Sequence, residues 1–215
     1  MTKARELSDY TGLQAEIAAA GAVAKGLVSQ QVFTASGTWT KPTGVTKVKV
    51  YITAGGGGAM SGANTHKASG GAGGTAIKVI DVSAISSVSV TIGAYGTSSI
   101  SNTDAGNGGS SSFGSHCSAT GGTGGTYNNV GWAGGAGGVG SGGDINLYGT
   151  GGEFETGANT TAAGGGSFWG GGGSGSEPIE IRSNGHHGGG GGALDASDTS
   201  YSKGGAGLCV VEEYK

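Results

Sequence analysis

The stretch KVKVYITAGGGG, residues 47–58, decides the fold, because it joins two kinds of structure without a break. Its first part alternates, with Val48, Val50 and Ile52 on one face and polar residues on the other. Apolar residues at every second position predict a half-buried β-strand. The Gly55–Gly58 run that follows has no side chain to bury, so its order requires another source of cohesion.

Similar glycine runs recur along the chain, in which 53 of 215 residues are glycine. The average protein contains about 7% glycine. The runs, some with one or two small residues inside, are 55–58, 70–74, 106–109, 121–125, 134–143, 149–152, 164–175, 188–192 and 204–207. Scarce proline and clustered glycine exclude collagen, and the strand-like segments exclude a pure flexible linker. The repetition of similar runs indicates a repeat architecture.

Glycine runs can be ordered as polyglycine II helices, which have three residues per turn and no internal hydrogen bonds. Packed side by side, such helices pair each other's backbone groups, and only glycine lets them approach closely enough. We therefore predict a mainly β and irregular fold, with packed polyglycine II helices on a small β-sandwich base. The strands of this base are expected at about 32–54, 75–92, 110–120 and 208–214.

Successive runs are expected to lead away from the sandwich and back to it in alternation. The single run 164–175 is expected to return to the base, and segments 144–148 and 176–187 are expected to turn there. At the opposite end, the expected tip segments are 59–69, 97–105, 126–133, 153–163 and 193–203.

Residues 1–30 are expected to form a separate helical stem, and residues 31–215 the glycine-rich tip domain. Apolar or small residues recur there with the 3-4-3-4-3 spacing of a heptad seam, at Tyr10, Leu13, Ile17, Ala20, Ala24 and Leu27. A short helix that is marginal alone gains from identical partners, so the seam predicts a homotrimer. An ordinary frayed helix is the alternative.

Charge and hydropathy limit the possible partners. The net charge is -3 and no basic stripe is present, which disfavours nucleic acid. No stretch of about 20 apolar residues predicts membrane insertion, and the polar N-terminus does not resemble a secretory signal. Cys117 and Cys209 lie among strand-like residues and are expected to be buried free thiols, with a bridge between them as the alternative.

Residues suited to catalysis or metal binding are sparse, so we expect neither enzyme activity nor a cofactor. The pair His186-His187 is the sharpest chemical feature, and either a metal site or an ordinary turn would explain it. Glu153 and Glu155 are close in sequence, but charged loop residues are usually just solvated.

The tip segments combine aromatic side chains with amides and hydroxyls, which suit binding to a protein surface or a sugar. The expected binding residues are Asn64, His66, Lys67, Tyr127, Asn128, Asn129, Trp132, Phe154, Asn159, Asp198 and Tyr201. The alternative for Trp132 and Phe154 is that they cover the glycine layer. Phe168 and Trp169 lie inside a run and are expected to pack.

Several motifs resemble the glycine-rich domains of phage tail fibres, over about residues 32–214. They are VFTASGTWTKP (32–42) followed by VTKVKV (45–50), GGSSSFG (108–114) leading to SATGG (118–122), and the terminal GGAGLCVVEEY (204–214). The chain is also similar to phage adhesins with a polyglycine II sandwich, in which loops between glycine helices contact bacterial receptors. The resemblance implies a receptor-binding tip in the virion, assembled in the host cytoplasm.

The resemblance also implies the partners, which are other tail-fibre subunits and a bacterial receptor, either an outer-membrane protein or a surface glycan. Two other functions remain open from the residues alone. One is a structural fibre cap or spacer. The other is an ice-binding protein, although the irregular loops argue against a regular ice-binding face.

Overall fold

The computed structural model describes residues 26–61, 66–100, 103–128, 131–156, 160–174, 184–193 and 202–215. These residues form strands, turns and extended segments, and they contain no helix. The prediction of a mainly β fold is confirmed. The N-terminal helix and most of its heptad seam fall on residues 1–25, outside the described part. None of the described residues belong to a helix long and apolar enough to span a membrane.

The strands are numbered in chain order. They are β1 Leu27–Phe33, β2 Gly37–Thr40, β3 Lys47–Thr53, β4 Met60–Ser61, β5 His66–Ala68, β6 Thr75–Asp81, β7 Ser87–Thr91, β8 Ser99–Ile100, β9 Ser111–Phe113, β10 Cys117–Ala119, β11 Thr126–Asn128, β12 Gly131–Ala133, β13 Gly140–Ser141, β14 Ile145–Leu147, β15 Phe154–Thr156 and β16 Leu208–Tyr214.

Two five-stranded antiparallel sheets share the main hydrophobic core. One has the strand order β1-β16-β3-β6-β14, and the other β13-β10-β9-β7-β2. The alternation predicted in β3 is present, because Val48, Val50 and Ile52 are all fully buried. From the opposite sheet, Trp39 and Phe113 meet in this core with ring centroids 5.9 Å apart. The two sheets thus pack in the manner of a sandwich.

The core also holds two cysteines and one carboxylate. Cys117 and Cys209 are free and buried, and burial raises the pKa of Cys117 to about 11. The Glu213 side chain is fully buried. Its carboxylate accepts hydrogen bonds from Trp39 Nε1 at 2.7 Å, from Gln31 Nε2 at 2.6 Å and from the Ser29 hydroxyl. Neutral donors from β1 and β2 thereby satisfy a charged group of β16.

The structure corrects one sequence prediction at the start of the sandwich and refines another. Leu27, the last position of the predicted heptad seam, lies in β1, where it pairs with Tyr214 of β16. The backbone ladder with β16 therefore overrides the helical pattern at this end. The expected strand region at about 32–54 begins with two strands, because Val32 and Trp39 lie in β1 and β2, which belong to different sheets.

Glycine-rich segments form a second layer, here named the glycine bundle. It comprises residues 54–59, 69–74, 93–98, 105–109, 120–125, 134–138, 149–153, 162–166, 171–174, 188–193 and 202–207. Their backbone groups bond laterally to segments distant in sequence, at N–O distances such as 2.8 Å between Gly57 and Gly71. The bundle is thus held together by backbone pairing.

Segment 54–59 lies inside this bundle, and its bonds repeat every three residues. N–H groups three positions apart donate to carbonyl groups of the same neighbouring segment. Residues 54 and 57 donate to segment 71–74, residues 55 and 58 to segment 106–109, and residues 56 and 59 to segment 202–205. Its carbonyl groups accept from three other segments, around residues 96–99, 122–125 and 191. Segment 69–74 follows the same rule, with donor pairs directed to 150–153, 188–191 and 120–123.

The close approach of neighbouring backbone segments, more than backbone flexibility, explains why the bundle is built from glycine. Among described glycines, positive φ values occur at Gly44, Gly114, Gly142 and Gly188 only. At most bundle positions, an added Cβ would lie below 3.0 Å from the backbone of another segment. At Gly57, for example, it would be 2.7 Å from Gly124 N and closer still to the Thr123 carbonyl.

Residues 164–174, the described part of the run 164–175, do not return to the base as one segment, which corrects the predicted chain path. The chain turns at residues 167–170, where the Ser167 N–H donates to the Gly170 carbonyl at 2.8 Å. Phe168 and Trp169 of this turn pack on Tyr51 of β3, with ring centroids 6.1 and 5.6 Å away. Their predicted packing role is confirmed, and an aromatic anchor on the sandwich explains why the chain reverses here.

Candidate functional site

Strands β4, β5, β8, β11, β12 and β15 lie beyond the glycine bundle, at the end opposite the sandwich. Segment 54–59 leads from β3 to β4, and segment 69–74 leads from β5 back to β6. There β15, β5, β4 and β8 form one small sheet, and β11 pairs with β12. We name the exposed face of these strands the tip surface. It unites parts of the predicted tip segments that are far apart in sequence.

An aromatic cluster marks the tip surface. The Trp132 ring lies 4.4 Å from Tyr127 and 4.7 Å from His66, measured between centroids. Tyr127 and Trp132 pack against a small buried cluster of Met60, Ala68 and Ala105. Because all three rings are only half-buried, the cluster is anchored below and presents ring surface to solvent.

The β11–β12 hairpin positions two of these rings. Tyr127 and Trp132 occupy directly opposite positions of the hairpin, where an aromatic pair stabilises strand pairing by roughly 0.2–1 kcal/mol. The Asp104 carboxylate accepts the Tyr127 N–H at 2.6 Å and so ties the hairpin to the neighbouring segment. The rings are therefore fixed by backbone contacts as well as by packing.

Lys67 is not part of the exposed tip surface, which corrects its predicted role as a contact residue. Its side chain is only 1% exposed, and the amine donates a hydrogen bond to the Thr160 carbonyl. Pairing of β5 with β15 sets Lys67 opposite Glu155. We infer a positioning role for Lys67, because its bond joins β5 to the chain around residue 160.

Phe154 lies on the edge strand β15 with 54% of its surface exposed. It pairs with Ala68, whereas Thr156 pairs with His66, so Phe154 belongs to the same small sheet as His66, one member of the aromatic cluster. The nearby Glu153 carboxylate accepts the Ala163 N–H at 3.1 Å. Glu153 thus has a local structural bond, in keeping with a loop carboxylate.

The structure places some predicted contact residues and not others. His66, Tyr127, Trp132 and Phe154 lie at the tip surface, and the backbone of Asn128 is part of β11. The predicted residues outside the described part are Asn64, Asn129, Asn159, Asp198 and Tyr201. Sequence reasoning missed Met60, since a single apolar residue beside a glycine run gives no periodic signal.

The histidine pair lies at a turn of the glycine bundle. Both His186 and His187 are exposed, and the Gly189 N–H donates to the His186 carbonyl at 2.6 Å. In the described ranges, no three His, Cys, Asp or Glu side chains come together as they would to hold a metal ion. The pair thus lies in a turn, which is one of the two explanations that the sequence left open.

A family model for the glycine-rich domain matches residues 31–214. The chain belongs to the glycine-rich domain family. The matched residues include the sandwich, the glycine bundle and the tip surface, so all three belong to one domain of this family. The search of curated proteins finds no match to the chain.

Proposed function

We propose that the chain is the receptor-binding tip of a bacteriophage tail fibre and acts as a non-catalytic adhesin. The observation that carries this proposal is the aromatic cluster of His66, Tyr127 and Trp132, held at the free end of the glycine bundle. Aromatic rings supply a large contact area with few rotatable bonds, so they lose little conformational entropy on binding. The motif resemblance to tail fibres supports the same role.

We further propose that the glycine bundle is a polyglycine II assembly. Its lateral hydrogen bonds return to the same neighbour every three residues, which is the period of this helix. Because backbone pairing holds the bundle together, the tip rings need only a small packing base, the cluster of Met60, Ala68 and Ala105, and keep part of their surface exposed. A stiff bundle with loops at one end suits a protein that must present contacts on a rigid scaffold.

The proposed partner is a bacterial surface receptor, either an outer-membrane protein or a surface glycan. Within the virion, the partners would be other tail-fibre subunits. The heptad spacing from Tyr10 to Ala24 supports a homotrimeric stem. Three copies would present three tip surfaces together, and avidity would then raise the apparent affinity for a receptor-dense cell surface.

The experiment is a cell-binding assay with fluorescently labelled full chain over a panel of bacterial strains. Trp132→Ala should reduce the bound fraction by tenfold or more, since central aromatic residues dominate binding energy at interfaces. The matched control is Trp169→Ala, which removes a half-exposed tryptophan from the sandwich end. Thermal melting of both variants checks that the fold persists.

A fibre cap or spacer is the competing function, and the same assay separates the two. For a cap, Trp132→Ala and Trp169→Ala would leave cell binding equally unaffected. Exchange of segment 126–133 with that of a related fibre gives a second comparison. An adhesin should change its preference among bacterial strains on this exchange. An unchanged preference would count against receptor binding by the tip surface.

A further inference from the structure

An open cavity of about 380 Å³ lies on the flank of the glycine bundle. The side chains that line it are all exposed, and they are Tyr95, Asn184, His186, His187 and Lys203. Gly185 and the backbone from Gly204 to Ala206 also line it. The volume lies within the range of small-molecule sites.

Backbone and amide hydrogen bonds brace the wall of this flank cavity. The Gly185 N–H donates to the Lys203 carbonyl at 3.0 Å, and the Lys203 N–H donates to Asn184 Oδ1 at 2.9 Å. The Lys203 Nζ lies 5.3 Å from the centroid of the Tyr95 ring, in cation–π range. The position of the cation is therefore restricted before any ligand arrives.

The lining favours an anion over a cation. Lys203 contributes a positive charge, Asn184 and the two histidines contribute polar nitrogens, and among the described residues no carboxylate lines the cavity. Among the described residues, the Lys203 amine contacts the Tyr95 ring and forms no salt bridge. Because glycines line one side, a ligand can approach the backbone there without meeting side chains.

We propose that the flank cavity binds an acidic saccharide, with Lys203 pairing with its carboxylate or phosphate group. The polar nitrogens and the Tyr95 hydroxyl suit the hydroxyl groups of a sugar, and the volume suits a single sugar unit. This site is separate from the tip surface. It therefore stands or falls independently of the receptor-binding proposal.

The test is calorimetric titration of the full chain with glucuronic acid, glucose 6-phosphate and neutral glucose. At least one acidic sugar should bind tenfold or more tightly than glucose, and added salt should weaken that binding. Binding of glucuronic acid alone would identify the carboxylate as the recognised group, and binding of glucose 6-phosphate alone would identify the phosphate. Equal binding of glucose, or no binding of either acid at about 10 mM, would overturn the proposal.

Variants assign the binding to the cavity. Lys203→Gln should weaken binding of the acidic sugar about tenfold or more, because a hydrogen bond between two charged groups is stronger than one to a neutral amide. The matched control is Lys47→Gln, an exposed lysine on β3 of the sandwich, which should retain full affinity. Tyr95→Ala should also weaken binding, while Trp132→Ala should not. Undiminished affinity in Lys203→Gln would refute the site.

Discussion

Replacing one interior glycine by alanine should destabilise the protein far more than the same change at an open position. In Gly57→Ala, the new Cβ would lie 2.7 Å from Gly124 N and closer still to the Thr123 carbonyl. Both contacts are backbone, so no flexible side chain can move aside. Segments 54–59 and 120–125 must then separate.

The size of the effect follows from the bonds between those two segments. The Gly122 N–H donates to Gly55, and the Gly125 N–H donates to Gly58, each at 3.0 Å. Buried backbone groups left unpaired cost about 1–3 kcal/mol each. Loss of both bonds therefore lowers the free energy of unfolding by about 2–6 kcal/mol, which corresponds to a drop in melting temperature of at least about 4 °C for a chain of this length.

Gly171→Ala is the matched control, because no atom lies within 4 Å of its added Cβ and its φ is not positive. Alanine restricts the unfolded chain, so this variant should be unchanged or stabilised by up to about 1 kcal/mol. Urea denaturation followed by tryptophan fluorescence measures both variants. Equal stability of Gly57→Ala and Gly171→Ala would refute the claim that close backbone packing holds the bundle together.

Other predictions concern the sandwich core. Glu213→Gln should lower the free energy of unfolding by about 1–3 kcal/mol. The amide NH₂ group would replace one carboxylate oxygen, so a donor would face the donors Ser29, Gln31 and Trp39. Chemical denaturation measures the change, and unchanged stability would contradict this reasoning. Cys117 and Cys209 should react with a thiol reagent at pH 8 only after unfolding, because burial raises the pKa of both thiols and the thiolate is the reactive form; rapid labelling of the native protein would show that the thiols are accessible. The same raised pKa of Cys117 keeps the folded thiol neutral, so its contribution to stability is complete below pH 9 and declines as the pH rises toward about 11; a denaturation series across this range should show the loss.

The sandwich was the part of the fold most accessible from sequence. Val48, Val50 and Ile52 stand at every second position of β3 and are buried. Alternate side chains of a strand point to the same face, so a strand with one buried face shows this spacing in its sequence. The reversal within run 164–175 was not predictable, since a continuous glycine run carries no sign of where it turns. The turn depends on the Ser167–Gly170 hydrogen bond and on the contact of Phe168 and Trp169 with the distant Tyr51.

The tip surface was predictable in outline but not in detail. The alternation of runs indicated which segments share an end, and Tyr127 and Trp132 stood out by composition. The burial of Lys67 was not predictable, because it depends on pairing between β5 and β15, strands of three residues each. Strands so short carry no periodic signal. The flank cavity was equally hidden, since Tyr95 and Lys203 are far apart in sequence.

The threefold repeat of the lateral bonds has a consequence for how the chain can change in length. Removing one residue from segment 69–74 would rotate every later donor by about a third of a turn, toward the wrong neighbour. Removing three residues would shorten the segment by one turn and leave each remaining donor facing its former partner. Insertions and deletions inside the glycine bundle should therefore be tolerated in multiples of three, much as a reading frame is.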